Sequence, residues 1–372
     1  MRKTIFVAAT GQHVGKTTST LGLVANLKEM GINVGYCKPV GQQHVDLDGM
    51  IADKDAVLFA KVLGFNLDPE LHSPVILGSG VTAKYIDDPS QYEFHERLDF
   101  AASELSRLHD VVVYEGTGHP GVGSVVDLSN ADVARKLNAS VIMIAEGGIG
   151  STIDRLAMSL AVFREKNVPL IGVIVNKVLP EKLEKVEHYL SKRFAQMNLP
   201  LLGVLPYDKS LSFPIMETVK HAVRGHIAFN EDRMANRVEE IVSGSLIGTE
   251  ELNTLRNIVL VVSHKRLEEA IGKIKWISAA RGLEESPLSG VIVTGDGRHE
   301  FPVERSGICV DYFMTHQIPV LTTALDTLGT VIKISRIEVK INTRTPWKVQ
   351  RAEELIREHI PLPVLLGIEN GK

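Results

Sequence analysis

The sequence predicts an α/β fold, with a mostly parallel sheet covered by helices on both faces and a second, smaller α/β domain following it. Three observations carry that expectation. Short apolar runs alternate with amphipathic helical patterns through the first half of the chain, the signature of βαβ units. The first apolar run, Ile5 to Ala9, leads straight into a glycine-containing turn and then Lys16-Thr17-Thr18 opening a helix. At 372 residues the chain exceeds what one core normally supports, and its periodicity changes after Pro206.

In chain order, the apolar runs place strands at Thr4–Ala9, Val34–Cys37, Val111–Tyr114, Val141–Ala145, Leu170–Asn176 and Leu201–Leu205. The amphipathic stretches between them read as helices over Thr17–Met30, Asp53–Val62, Leu98–Leu108, Asp132–Leu137, Thr152–Lys166 and Pro180–Met197. Tyr207 to Ile227, with scattered prolines and charges, reads as loop and helix, and Glu231–Val242 as a further helix. A second set of strands follows at Ile258–Val262, Gly290–Thr294, Val320–Thr322 and Ile337–Ile341. Helices over Leu267–Ile274, Val303–His316 and Asp326–Ile334 separate them. Trp347–His359 reads as a last helix and Ile360–Lys372 as a tail. The expected domains are therefore 1–210, 211–345 and a C-terminal helix and tail over 346–372.

The segment Thr10-Gly11-Gln12-His13-Val14-Gly15-Lys16-Thr17-Thr18 carries the chemistry. Strand, tight turn, then Lys-Thr-Thr at a helix start is the layout of a phosphate-binding loop, which makes the first domain P-loop NTPase-type. Amide N–H groups at such a helix start point outward without intrahelical partners, and the helix dipole adds positive charge there. Lys16 would neutralise the β- and γ-phosphates and the Thr17 hydroxyl would reach Mg²⁺. Thr10 stands where the strict pattern has its first glycine.

Ligands of parallel sheets sit beyond the carboxyl ends of the strands, so the polar residues that end strands are the next candidates. Lys38 precedes Pro39, which cannot donate to a ladder and ends the strand. Its ammonium would clamp a transferring phosphate or a substrate anion; the alternative is a surface lysine. Glu115, followed by Gly116-Thr117-Gly118, ends a buried strand and suits a carboxylate that holds Mg²⁺ or its water shell. Asp55 is the candidate third oxygen ligand beside Thr17 and Glu115, with Asp46, Asp48 and Asp53 as competitors and a dipole-serving helix carboxylate as the plain alternative. Asn176 ends another strand, where one amide matches the edge of a base or caps a turn. The Gly147-Gly148-Ile149-Gly150-Ser151 loop after Glu146 permits close backbone approach. His13 and His119 carry no assigned role.

Composition narrows the class further. There are 41 basic and 45 acidic residues, a net charge of −4, and no block of like charge, so no nucleic-acid footprint is expected. Two distant cysteines, Cys37 and Cys309, form no disulfide framework and suit a reducing cytosol. Met1-Arg2-Lys3 before Ile5 imitates a signal peptide, but the apolar run is too short, and no stretch has membrane-spanning length. The expectation is a cytoplasmic protein without membrane or nucleic-acid partners.

Taken together, Thr10 to Thr18, Gly35-Tyr36-Cys37-Lys38-Pro39-Val40, Lys54-Asp55-Ala56, Glu115-Gly116-Thr117-Gly118, Val175-Asn176 and Leu202-Gly203-Val204-Leu205-Pro206 resemble the dethiobiotin synthetase family and its cobyrinic acid diamide synthase relatives. They resemble more closely still the synthetase-like N-terminal domain of some bacterial phosphate acetyltransferases. The resemblance covers about the first 210 residues. It implies that Lys16 and Lys38 contact phosphate and substrate, that Thr17, Asp55 and Glu115 bind Mg²⁺, and that Asn176 recognises the base. It also implies ATP as the nucleotide, a homodimer, and, in the synthetases themselves, carboxylation of a diamine, phosphorylation of the carbamate and ring closure. His13, where the synthetases carry an acid, and Gln42, where they carry a serine, suggest a remodelled substrate half beside an intact nucleotide half.

The second domain resembles a DRTGG module through Val261 to His264, Gly290 to Gly295, Ile318 to Thr323 and Asp326-Thr327, although Asp-Arg-Thr-Gly-Gly itself is absent and Thr294-Gly295-Asp296-Gly297 is its nearest stretch. Such modules accompany ligand-sensing domains. Ser263, Thr294, Thr322, Thr323 and Asp326 would line a small-anion or nucleotide pocket, or simply serve strand-end turns. The chain is expected to lack the acetyltransferase catalytic domain. Two functions follow: a nucleotide-responsive regulator, or an ATP-dependent synthetase that activates a carboxylate or carbamate by phosphorylation.

Overall fold

The computed structural model describes residues 2–47, 49–244, 256–295 and 307–367. The chain forms two compact units, Met1–Asp208 with Ile341–Lys372, and Lys209–Lys340. Asp48, residues 303–306, and Asp296 and Gly297 of the DRTGG-like stretch lie outside the described residues.

The first unit is built on six strands: β1 (Thr4–Ala9), β2 (Val34–Cys37), β3 (Val111–Glu115), β4 (Ser140–Glu146), β5 (Leu170–Val178) and β6 (Leu201–Pro206). They lie in the order β6-β5-β4-β1-β3-β2, every pair parallel. The period-two geometry of a strand divides β1 between two cores. Ile5, Val7 and Ala9 face Leu21, Val24, Leu27 and Phe59, while Phe6 and Ala8 face Leu98, Leu105 and Val126. Both faces of the sheet are therefore dry, which is why its strands read as unbroken apolar runs. After β1 the chain turns through α1 (Lys16–Glu29) toward β2, whereas β4 sends it to the other side toward β5. The carboxyl ends of β1 and β4 thus flank a topological switch point, where open α/β sheets bind ligands.

The C-terminal segment belongs to this first unit. The helix Pro346–His359 lies against α1, and Ile356, Ile360 and, from the short turn of helix Leu362–Leu366, Leu362, Leu365 and Leu366 join the core cluster of Ile5, Val7 and Leu21. Glycine at position 22 sets the spacing: a Cβ there would stand 2.3 Å from the carbonyl oxygen of Ala352. Asn26 Nδ2 donates to Glu353 O at 2.9 Å, and Arg357 Nη2 pairs with Glu29 Oε2 at 2.8 Å. Ascending contacts along both helices mean that they run parallel. Arg2 donates to Val364 O and Leu365 O at 3.2 and 2.8 Å, and Arg351 Nε meets Asp208 Oδ2 at 2.5 Å.

Among the described residues the second unit's sheet has five strands, β7 (His226–Phe229), β8 (Glu240–Ser243), β9 (Ile258–Ser263), β10 (Leu288–Thr294) and β11 (Val320–Thr323), in the order β7-β11-β10-β9-β8. Only β7 with β11 is antiparallel. Helices Leu267–Ala280 and Gly307–Thr315 cover one face, and Met216–Val223 and Thr327–Ser335 the other.

Several local expectations are corrected here. The helix expected over Glu231–Val242 is a single 3₁₀ turn at Glu231–Arg233 followed by β8. Asn230, in the left-handed region at φ 54°, bounds the turn, and the parallel ladder Glu240↔Ile258 to Ser243↔Val261 outweighs helical periodicity. No strand forms over Ile337–Ile341: Ile337 packs in the second unit's core and Ile341 in the first unit's, so the segment is a junction. A strand, β7, begins inside the stretch read as loop and helix, and Leu362–Leu366 is helical where a structureless tail was expected. The antiparallel hairpin His44–Leu47/Met50–Asp53 was not anticipated.

Two outcomes test this architecture. Replacing Gly22 with Val should lower stability in denaturant by about 1–3 kcal/mol, the usual cost of overpacking, because the close approach to Ala352 leaves no room. Lys348, 1% exposed, has its amine pushed down to about 7 by burial. The native state therefore binds fewer protons there than the unfolded chain between pH 7 and pH 10.5. Stability should rise through that window by up to a few kcal/mol. Lys348→Met should flatten the rise when melting temperature is followed against pH.

Candidate functional site

The turn from β1 into α1 is fixed from both sides. Thr10 N donates to Ile144 O at 3.0 Å, extending the ladder to β4. Gly11 and Gln12 form the outer bend, and His13 adopts a left-handed φ of 59°. Val14 is buried, and its carbonyl accepts from Asn176 Nδ2 at 2.9 Å. Gly15 precedes α1 at φ 93°, and a Cβ there would stand 2.1 Å from Asn176 Nδ2. Both the backbone angle and the contact demand glycine. Asn176 Oδ1 also accepts from Lys177 N at 2.9 Å, and Lys177 Nζ donates to His13 O. Asn176 thus braces the loop while its amide keeps a second N–H and a second lone pair.

The first turn of α1, with Lys16, Thr17 and Thr18, has no side-chain cap and no acidic residue. Its outward amides and the helix dipole favour an anion.

Around that turn the strand ends bring their charges together. Glu115, fully buried at the end of β3, accepts from Thr17 Oγ1 at 2.7 Å and from Lys38 Nζ at 3.0 Å through Oε1; Lys16 Nζ stands 3.8 Å from the same oxygen. Its Oε2 accepts from the Tyr36 hydroxyl at 3.3 Å. Lys38, 4% exposed, also donates to Asp55 Oδ2 at 2.7 Å and to Gly116 O at 3.2 Å. Asp55 sits in the first turn of α2 (Lys54–Leu63), whose N-cap is Asp53: Asp53 Oδ1 accepts from Asp55 N at 2.8 Å. Asp46 accepts from Gly49 N at 2.7 Å within the hairpin, so it serves that turn.

Burial sets the proton affinities. Desolvation, with the Lys38 ammonium adding to it, pushes Lys16 down to about 8. Burial would lower Lys38 as well, but the Glu115 and Asp55 carboxylates outweigh it and hold Lys38 well above its ordinary value. Desolvation raises Asp53 to about 6 against the pull of Lys38. Two ammonium groups thus flank one buried carboxylate at the mouth of an anion-attracting helix. Thr17 Oγ1, Glu115 Oε1 and Asp55 Oδ2 are all hard oxygens. Among the described residues no group of three or more His, Cys, Asp or Glu side chains forms a metal cage. The hard oxygens of Thr17, Glu115 and Asp55 suit a small divalent cation held by one or two carboxylates with phosphate oxygens and water completing its shell.

The glycine-rich loop after Glu115 passes beside the phosphate loop: a Cβ on Gly118 would lie 3.9 Å from Gln12 Cγ. Asn130 holds it, accepting from Thr117 N at 3.0 Å and donating to Thr117 O and His119 O at 2.8 and 2.7 Å. Tyr36 and Asn130 are the supporting residues that strand-end reasoning missed; Asp53, weighed only as a competing carboxylate, caps α2, and Lys177, beside the candidate Asn176, tethers the loop. Asn130 had a local signal, since Ser129 and Asp132 form a capping box around it.

In the second unit, Thr294 Oγ1 lies 3.1 Å from Thr327 Oγ1, Thr323 Oγ1 donates to Val223 O at 2.8 Å, and Asp326 caps Gly329 N at 2.6 Å. These side chains join the ends of β10 and β11 to the helices Met216–Val223 and Thr327–Ser335. A solvent-open cavity of about 400 Å³ runs instead along Lys220 and residues 225–231.

Fold and site together define an α/β protein of the phosphate-binding-loop class. A family model described as an AAA domain (AAA_26) matches residues 3–214, and the chain belongs to that family. The phosphate acetyltransferase of Nitrosomonas europaea is 27% identical over 380 residues, covering 98% of this chain and 51% of that protein. The ATP-dependent dethiobiotin synthetase BioD of Clostridium botulinum is 26% identical over 207 residues, 54% of this chain and 88% of that protein. A probable cobyric acid synthase of Methanocaldococcus jannaschii is 27% identical over 243 residues, 58% of this chain and 47% of that protein. The chain spans about half the length of the phosphate acetyltransferases it matches. Among solved structures, the MinD cell division protein of Aquifex aeolicus is similar at 15% identity and a TM-score of 0.36, over 56% of this chain and 84% of that one. Among the described residues no helix is long and apolar enough to cross a membrane.

The loop geometry yields a direct outcome. Gly15→Ala should lower the melting temperature, because its Cβ must displace Asn176 and adopt a positive φ at once. A melting curve equal to that of the unaltered protein would mean that the loop does not need this brace.

Proposed function

We propose that this protein binds MgATP in the first unit and that nucleotide occupancy regulates what the second, DRTGG-like unit does. The observation that carries the reading is the convergence of Lys16, Lys38, Thr17, Asp55 and Glu115 at the first turn of α1. Thr17, Glu115 and Asp55 would hold Mg²⁺, the α1 amides and Lys16 the β- and γ-phosphates, and Asn176 the base through its remaining donor and acceptor. Thr10 to Thr18 and Gly118 would wrap the phosphates. The cavity along residues 225–231 supports a small-ligand site in the second unit. A cytoplasmic homodimer is part of the proposal.

The second reading is an ATP-dependent synthetase, favoured by similarity to BioD over 88% of that protein's length. There Lys38 would stabilise the phosphoryl group in flight toward a carboxylate or carbamate, catalysis by positioning and electrostatics without a covalent nucleophile. ATP turnover that quickens with a small carboxylate or diamine separates this reading from the regulator.

Calorimetry of the full chain with ATP in magnesium buffer tests the site itself. Lys16→Ala should weaken binding at least tenfold, a loss of about 1.4 kcal/mol or more. Unchanged affinity removes the phosphate loop from the proposal.

A further inference from the structure

The position of Lys38 carries a consequence beyond phosphate contact. Its ammonium nitrogen is held by three oxygens from three places in the chain: Asp55 Oδ2 at 2.7 Å, Glu115 Oε1 at 3.0 Å and Gly116 O at 3.2 Å. Two of these belong to the carboxylates that the proposed function gives to Mg²⁺. The third proposed ligand, Thr17 Oγ1, donates to the same Glu115 oxygen at 2.7 Å. A hard cation and an ammonium group compete for one oxygen set, and Mg²⁺ needs those oxygens at about 2.1 Å. Both cannot hold it at once.

Charge makes the competition directional. Glu115, Asp55 and Asp53 face Lys38 and Lys16, the latter 3.8 Å from Glu115, so at neutral pH three negative charges meet two positive ones. A divalent cation entering alone would turn that into a positive surplus beside a fully buried carboxylate whose oxygen already holds an ammonium group, which a low-dielectric site disfavours. A triphosphate entering with the metal removes the surplus and offers the two lysines new oxygens.

We propose that Lys38 is an internal counter-ion that keeps the divalent-cation seat closed until a nucleotide brings the metal in and draws the ammonium onto phosphate. The proposal rests on the MgATP reading above and adds an order to it: no metal without nucleotide. A plain structural ion pair would predict no such coupling, since metal could then join or not join irrespective of Lys38.

The test is Mn²⁺ binding to the full chain without nucleotide, read by loss of the free-ion electron paramagnetic resonance signal. The unaltered chain should bind Mn²⁺ only weakly, and Lys38→Met should bind it at least tenfold more tightly. Lys16→Met removes the same charge but leaves Lys38 in place, so it should gain much less. An equal gain in both variants would reduce the effect to net charge and overturn the proposal. So would a folded Lys38→Met protein with no gain, or tight Mn²⁺ binding by the unaltered chain. Should Lys38→Met fail to fold, ¹³C-lysine resonances of the unaltered chain decide. MgADP should shift the Lys38 signal well beyond the shift from ADP in EDTA, and equal shifts would overturn the proposal. Absence of any heat with MgATP would instead remove the nucleotide reading, an outcome the nucleotide-free Mn²⁺ measurement does not share.

Discussion

One buried carboxylate organises the first unit. Glu115 has no exposed surface, and a charge in that position is tolerable only when its partners are close and well placed. Every element around the site supplies one. β2 contributes Tyr36 and is followed directly by Lys38, α1 contributes Thr17 and Lys16, and α2 reaches in through Asp55 behind Lys38. Tyr36 is itself fixed by stacking on Phe59, with ring centroids 3.6 Å apart. The sheet order explains how these groups meet: β3, which carries Glu115, lies between β1 and β2, so the phosphate loop and the Lys38 strand end flank it. Removing Glu115 would leave Lys38 with Asp55 as its remaining carboxylate partner and take from Lys16 the carboxylate 3.8 Å away, whereas removing a single lysine still leaves Glu115 one cationic partner.

The part of this arrangement legible in the sequence was the part written in short-range patterns. Apolar runs buried on two faces marked all six strands of the first sheet, with Thr4–Ala9 and Val34–Cys37 matching to the residue. Strand ends named Lys38, Glu115 and Asn176 because polarity after an apolar run is a local signal, and the structure brings the first two into one cluster and sets the third against the phosphate loop. What escaped was long-range. Tyr36 as a donor to Glu115 and Lys177 as a tether to His13 depend on partners 79 and 164 residues away, and their residue types read equally well as core or surface. The misread stretch Glu231–Val242 shows the same limit: a helical periodicity yields when Asn257 and Ile258 offer a parallel partner.

The C-terminal segment shows how sequence order can mislead about domain content. Residues 341–367 lie beyond the second unit in the chain but complete the first unit's core. The close approach at Gly22 and the hydrogen bonds from Asn26 tie the returning helix to α1, the helix whose first turn faces the anion-binding loop. Gly203 repeats the device on β6, where a Cβ would stand 2.2 Å from the carbonyl oxygen of His359. Two small residues on adjoining elements admit one backbone, a fit that depends on shape rather than on apolar area alone.

That discontinuity has a consequence for how the first unit forms. α1 buries Leu21, Leu23 and Leu27 in a cluster that also needs Ile356, Ile360 and Leu365, so one face of the phosphate-loop helix stays uncovered until the end of the chain arrives. The entropy of closing so long a loop grows only slowly with its length, and the intervening residues fold into a compact unit of their own. Arg351 then pairs with Asp208, the last residue before the chain leaves the first unit, and so fastens the return to the exit. A unit closed in this way has its phosphate-loop helix packed against a segment that is covalently continuous with the second unit. α1 and the helix that follows the second unit in the chain therefore share one core, and the phosphate-loop helix depends for its cover on residues 341–367.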